Sequence, residues 1–146
     1  MQLTRYTDYS LRVLIYLATH RDGLATTEQI ANAYGISLAH LSKVVKHLAR
    51  GGYVETVRGR SGGLRLAVPP EEIVLGEVVR STEETLALVE CFAAPGSGAC
   101  RIEPACDLAR VLDQALRAFL GVLDRHTLAD VVRRRTTLRQ LLAIAR

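Results

Sequence analysis

The chain has 146 residues, with 19 Lys and Arg against 15 Asp and Glu, three Cys, no Trp and 49% apolar residues. That size and balance fit one compact domain and exclude a collagen-like or disordered chain. No apolar run approaches the ~18 to 20 residues that a membrane span needs, and the opening Met1 to Asp8 stretch lacks the apolar core of a signal peptide, so a cytoplasmic protein is expected.

The net charge of +4 is unevenly spread: residues 1–70 hold nine Lys and Arg and four Asp and Glu, the remainder ten and eleven. Within 37–68 there are six basic side chains (Lys43, Lys46, Arg50, Arg58, Arg60, Arg65) and one acid, Glu55. Such a density suits a polyanion, the alternative being a solvated basic face.

From Tyr6 to Thr19, Leu11, Leu14, Ile15 and Ala18 recur with the period of a helix that buries one face, with Thr7 and Asp8 as its expected caps. After the turn Arg21-Asp22-Gly23, Thr26 and Gln29 form a capping box for a short helix through Ala33, which Gly35 ends. Ser37 is the next N-cap. The helix it starts has an apolar stripe of Leu41, Val44, Val45 and Leu48, with His40, Lys43 and His47 opposite, and Gly51 is expected as its left-handed C-terminal residue. Tyr53 to Arg58 and Leu64 to Val68 then alternate as strands do, separated by Gly59-Arg60-Ser61-Gly62-Gly63, and Pro69-Pro70 stops the second. Two helices joined by a tight turn and followed by a basic hairpin make a winged helix-turn-helix. Ser37, His40, Ser42 and Lys43 are the candidates for the major groove. Lys46 and His47 are candidates for phosphates, and Arg58 and Arg60 for the backbone or minor groove. A nucleotide-phosphate loop is excluded for the Gly-rich turn, which runs into a strand and lacks the Gly-Lys-Ser/Thr ending.

All three cysteines, Cys91, Cys100 and Cys106, fall in 16 residues around the Gly/Pro loop 93–99. An odd number argues against a disulfide framework, and the spacing does not match zinc pairs. Three thiolates with one weaker ligand suit an iron–sulfur cluster; zinc, a thiol switch and metal-free packing stay open as alternatives. From Pro104, taken as a first helical residue, a helical pattern runs to about His126 and would span about 34 Å. Its apolar residues (Leu108, Val111, Leu112, Ala115, Leu116, Phe119, Leu120, Val122, Leu123) exceed what one buried face needs, which points to a second chain as partner. The alternative is a central helix wrapped by Val78, Val79, Leu138, Leu141 and Leu142. Thr127 and Thr137 are expected to cap two short terminal helices, and Arg133-Arg134-Arg135 reads as solvated charge.

The expected fold is therefore mainly α: a winged helix-turn-helix over 1–85 with a two-stranded β-wing, a cysteine loop over 86–107, a long dimerisation helix over 104–126 and short helices over 127–146. Absence of Cys-x-x-Cys, of a nucleotide fingerprint and of any His constellation argues against a redox or cluster-transfer enzyme.

Nearly the whole chain resembles the winged-helix iron–sulfur transcriptional regulators. The resemblance rests on Leu3 to Arg12 (Leu-Thr-Arg-Tyr-Thr-Asp-Tyr-Ser-Leu-Arg), Val57 to Leu64 (Val-Arg-Gly-Arg-Ser-Gly-Gly-Leu), the three-cysteine window and Thr127 to Val131. Leu88-Val-Glu-Cys91 and Phe119 to Asp130 are similar to the nitric-oxide-sensing branch. The cluster-biogenesis branch has a His three positions after the third Cys, where this chain has Ala109. The resemblance implies a homodimeric repressor on palindromic operator DNA, released when nitric oxide destroys an iron–sulfur cluster, with 4Fe-4S placed ahead of 2Fe-2S. It also implies that Asp8 of one chain is the fourth ligand to the cluster of the other, with Arg12 one turn along as a coupling residue. Iron, cluster supply or thiol redox state is the alternative signal. The eight residues between Cys91 and Cys100 make a longer interval than is usual in the family.

Overall fold

The computed structural model describes residues 2–21, 23–93 and 100–144. In chain order it has α1 (Arg5–Thr19), α2 (Thr27–Tyr34), α3 (Leu38–Arg50), β1 (Val54–Val57), β2 (Gly63–Leu66), a 3-10 turn (Pro70–Glu72) and α4 (Leu75–Thr82). Then come α5 (Glu90–Ala93), a second 3-10 turn (Glu103–Ala105), α6 (Asp107–Asp124), α7 (Leu128–Val131) and α8 (Arg135–Leu141). Among the described residues no helix is long and apolar enough to cross a membrane. Asp22 and residues 94–99, which make up most of the Gly/Pro loop 93–99 inside the expected cysteine loop, lie outside the described residues.

The head is built on α1 to α3. Val13, Leu14, Ile30, Leu41 and Leu48 are fully buried and share one apolar core with Val44, Leu64, Ile73, Val78 and Leu128. The expected capping box closes α2, where Thr26 Oγ1 accepts from Gln29 N at 3.1 Å and Gln29 Oε1 accepts from Thr26 N at 2.7 Å. Ser37 caps α3 as the local pattern requires, accepting from His40 N. The hairpin pairs antiparallel with Val54 opposite Leu66 and Val57 opposite Gly63. It is tied to the head by a bridge between Leu64 and Ala25, with N···O distances of 2.8 and 3.0 Å.

Six local expectations are corrected. The cap of α1 is Thr4, one turn before the residues expected, because the Glu83 carboxylate accepts from Thr4 N and from the hydroxyls of Thr4 and Thr7. Gly51 is right-handed (φ −76°) and Gly52 supplies the left-handed turn (φ +77°), so α3 exits one residue later. The strands are shorter than expected: β1 loses a residue at each end, and β2, although it starts one residue early at Gly63, stops at Leu66. Pro104 is not the first residue of the long helix but the second of a separate 3-10 turn that Glu103 begins. Extended backbone at Cys106 (φ −86°, ψ 100°) restarts the chain as α6, 18 residues and about 27 Å long. At the C-terminus Thr127 forms a capping box with Asp130, while Thr137 lies inside α8, which begins at Arg135. Arg133 pairs with Asp130, and Arg135 Nε donates to Thr19 O at 3.0 Å, so these two are not simply solvated.

α6 lies against α4. Leu112, Leu116, Phe119 and Leu123 are half-buried, and the first three line an apolar cleft of ≈ 390 Å³ with Leu3, Leu86 and Leu88. The C-terminal end of α6 is held by the Arg80 guanidinium, which donates to both Asp124 oxygens at 2.6 and 2.7 Å. No side chain of α6 is fully buried. Leu108 (62%), Val111 (56%) and Val122 (47%) stand exposed, with Ala115 and Ala118 between them, at spacings of 3, 4, 3 and 4. The reading in which the same chain wraps this helix on all sides is therefore excluded for the described residues.

Candidate nucleic-acid interface and metal site

The exposed side of α3 follows from its period. With Leu41, Val44, Val45 and Leu48 turned into the core, His40, Lys43, Lys46 and Arg50 fall on the outer face, with Ser37 exposed at the helix start. The first turn of α3 contains no acid, so its free amide N–H groups and positive dipole end are unopposed. Ser42 is half-buried and its hydroxyl donates to Leu38 O at 2.8 Å, which leaves it only acceptor capacity toward a base. His47 is half-buried too, packed edge to face against Tyr6 at 5.5 Å between ring centroids. Tyr6 also donates its hydroxyl to Lys43 O at 3.3 Å, so the first turn of α1 holds the middle of α3. Burial raises the Tyr6 phenol above its ordinary value, against a smaller opposite pull from Arg50.

Arg58 and Arg60 are exposed at the wing tip, and among the described residues neither has an ion-pair partner. Arg65 differs. Its Nε meets Glu55 Oε2 across the strand pair at 2.8 Å, which lowers the Glu55 pKa and raises that of Arg65. The six-cation segment therefore offers five unneutralised cations: Lys43, Lys46 and Arg50 on α3, and the two wing-tip arginines.

Cys91 sits on α5, Cys100 precedes the 3-10 turn, and Cys106 is the N-cap of α6; all three are free and half-buried. Three unoxidised thiols outside the core have the donor chemistry that an iron–sulfur cluster takes. Among the described residues of a single chain, no three His, Cys, Asp or Glu side chains are gathered closely enough to hold a metal ion. Asp8 stands apart on the first turn of α1. Its Oδ1 accepts from Arg12 Nε at 3.0 Å and its Oδ2 lies 2.9 Å from an Arg12 amino group. The Arg12 guanidinium also lies 5.7 Å from the Tyr34 ring centroid. The hydrogen bond to Asp8 raises the Arg12 pKa, and burial pushes the Tyr34 phenol up to about 12. Asp8 and Arg12 are thus a half-exposed pair on one face of α1, as their i, i+4 spacing allows.

Tyr6, Glu83 and the Arg80–Asp124 pair have no counterpart in the sequence reading. Tyr6 reads as an ordinary helix residue, and the other two bonds join positions 76 to 79 and 44 residues apart with no local pattern to announce them.

Residues 3–134 match the family model Rrf2, described as an iron-dependent transcriptional regulator. The chain is similar to the HTH-type transcriptional regulator NsrR of Bacillus subtilis (strain 168), at 53% identity over 143 residues that cover 97% of each chain. It is 54% identical to the NsrR of Geobacillus kaustophilus (strain HTA426), again over 97% of each. Among solved structures it is similar to T. potens IscR, with a TM-score of 0.73 and 26% identity over 90% of this chain and 86% of that one. Winged head, exposed basic helix and full-length match together place the chain: it is a DNA-binding transcriptional repressor and belongs to the Rrf2 family.

Proposed function

We propose that this repressor acts as a homodimer whose grip on operator DNA depends on an iron–sulfur cluster at Cys91, Cys100 and Cys106, and that nitric oxide is the signal that releases it. The observation that carries this reading is where the cysteines lie: all three, free of disulfides, occupy the short stretch that joins the winged head to α6. Whatever binds there bears on the angle between head and helix. The likeness to NsrR over 97% of the chain supports the same reading. So does the uncovered seam of α6, whose 3, 4, 3, 4 spacing suits a second copy of the same helix.

Cys91, Cys100 and Cys106 would hold the cluster, with Asp8 of the second copy as the fourth ligand. A 4Fe-4S centre takes precedence over 2Fe-2S, as the resemblance to the iron–sulfur regulators implies. Bound there, the cluster would supply iron open to an open-shell ligand such as nitric oxide. Arg12, which holds both Asp8 oxygens in the single chain, would orient the carboxylate toward the cluster through Nε. On the DNA, Ser37, His40 and Lys43 face the major groove, with Ser42 behind them as an acceptor. Lys46 and His47 approach phosphates, and Arg58 and Arg60 reach the backbone or minor groove. Half-sites one turn, ~34 Å, apart make the spacing of two heads decisive. A coupling of ~1–3 kcal/mol between the metal site and the heads changes affinity about 5- to 150-fold.

Anaerobic isolation of Cys100→Ala beside the parent tests the assignment. The expected result is loss of the visible absorbance band and of tight operator binding, with helix content retained. A colourless variant that still binds its operator tightly would overturn it.

A further inference from the structure

Leu38 is 49% exposed at the first position of α3. The other large apolar side chains with comparable exposure (Ile102, Leu108, Val111, Val122, Val131, Leu141) all lie beyond residue 100. Among the described residues of the winged head Leu38 stands alone. Its neighbours Ser37, Ala39 and His40 are exposed as well, so the leading tip of the helix is a small neutral lip, set ahead of the cations Lys43, Lys46 and Arg50. The Leu38 carbonyl accepts the Ser42 hydroxyl at 2.8 Å, which commits that proton to the helix and leaves the lip still more apolar.

A helix of this kind enters the major groove by its N-terminal residues, where the one apolar group that a base pair presents is the C5-methyl of thymine. Resting on the hydrogen-bonding edge of another base, Leu38 would strip water from donors and acceptors without replacing it. We propose that Leu38 reads a thymine methyl in each operator half-site, acting as a specificity-determining residue for T by packing rather than by hydrogen bonding. This inference rests on α3 being the reading helix.

The test uses a duplex enriched by this full-length chain from a random pool, then remade with one thymine at a time replaced by deoxyuracil, which removes only the methyl. Affinity is read by fluorescence anisotropy at fixed salt. In the parent, uracil at one position of a single half-site should weaken binding about four-fold, the effect of one buried methyl-sized group, and the equivalent position of the other half-site should behave the same way. In Leu38→Ala the same uracil should have no effect, while the dependence on salt, set by phosphate contacts, stays as in the parent. Alanine is a better helix former than leucine, and the matching circular dichroism spectrum checks that the head is folded. A uracil penalty that persists in Leu38→Ala assigns the methyl to another side chain and overturns the proposal. Uniform indifference of the parent to uracil overturns it too. Failure of the parent to enrich any duplex would sink the reading of α3 itself, before any uracil is introduced.

Discussion

The wing is joined to the head at a point where a single methyl group decides the geometry. A Cβ on Gly63 would lie 2.9 Å from Ala25 O and 2.9 Å from Leu24 Cβ, closer than carbon atoms pack, and the first of these is backbone that cannot rotate away. Gly63→Ala therefore has to push β2 off the Leu64–Ala25 bridge, whose two N···O distances are 2.8 and 3.0 Å. Each of those bonds contributes about 1 kcal/mol net, and overpacking of this kind costs about 1–3 kcal/mol. The entropy that the unfolded chain loses on gaining a side chain offsets about 0.4–1 kcal/mol. The expected net cost is about 1–3 kcal/mol, read from urea unfolding followed at the helical band at fixed protomer concentration. Gly23→Ala is the control: its Cβ would meet only His20 Cε1 at an ordinary 3.5 Å, so it should be neutral or slightly stabilising. Because the displaced hairpin carries Arg58 and Arg60, Gly63→Ala should also weaken operator binding and make its salt dependence shallower, by up to about two units of slope. Parent-like stability and parent-like salt slope in Gly63→Ala would refute the docking of the wing described above.

Arg58→Ala alone should lower affinity across sequences and reduce the salt slope by about one unit, measured by anisotropy titrations from low to moderate salt; an unchanged slope would remove Arg58 from the interface. A Cβ on Gly76 would fall 1.9 Å from Asp124 Oδ1. Gly76→Ala should therefore lower the thermal midpoint in the parent background and be neutral or favourable once Asp124→Ala has cleared the space, whereas additive effects would contradict the fork at the end of α6. The alkaline limit of stability follows from the buried phenols. Tyr34 is raised from 10.0 to about 12 by burial, and burial moves Tyr16 and Tyr53 the same way. The unfolded chain releases these protons first, so the Tyr34 contribution is intact below about pH 10 and is lost as pH rises through about 12, with Tyr16 and Tyr53 acting in the same direction. Urea midpoints should fall across that window, and the fall should be shallower in Tyr34→Phe.

What was legible in the sequence was local. The period of Leu41, Val44, Val45 and Leu48, the Thr26–Gln29 box and the Ser37 cap depend on residues within one or two turns of each other, and the structure places them as the patterns require. The apolar excess of the long helix also carried over, since α4 covers one side of α6 and leaves Leu108, Val111 and Val122 outside. What escaped depends on distant partners. The start of α1 shifts to Thr4 because a carboxylate 79 positions away completes that cap. His47 is half-buried because its ring packs edge to face against Tyr6, on another helix. The break at Cys106 is invisible to a reading by helical period because the apolar residues on either side of it keep that period. Of the candidate site, the exposed cations and free thiols could be read from residue type, whereas the Arg12–Tyr34 contact and the commitment of Ser42 needed coordinates.

The most direct test of the account is a nitric oxide titration of oxygen-protected protein on its operator, with visible absorbance and DNA binding followed in the same sample. The account predicts that the absorbance band and tight binding disappear together as nitric oxide is added, by a factor within the 5- to 150-fold that a ~1–3 kcal/mol coupling allows. Protein isolated free of iron that binds the operator at full strength and ignores nitric oxide would contradict it.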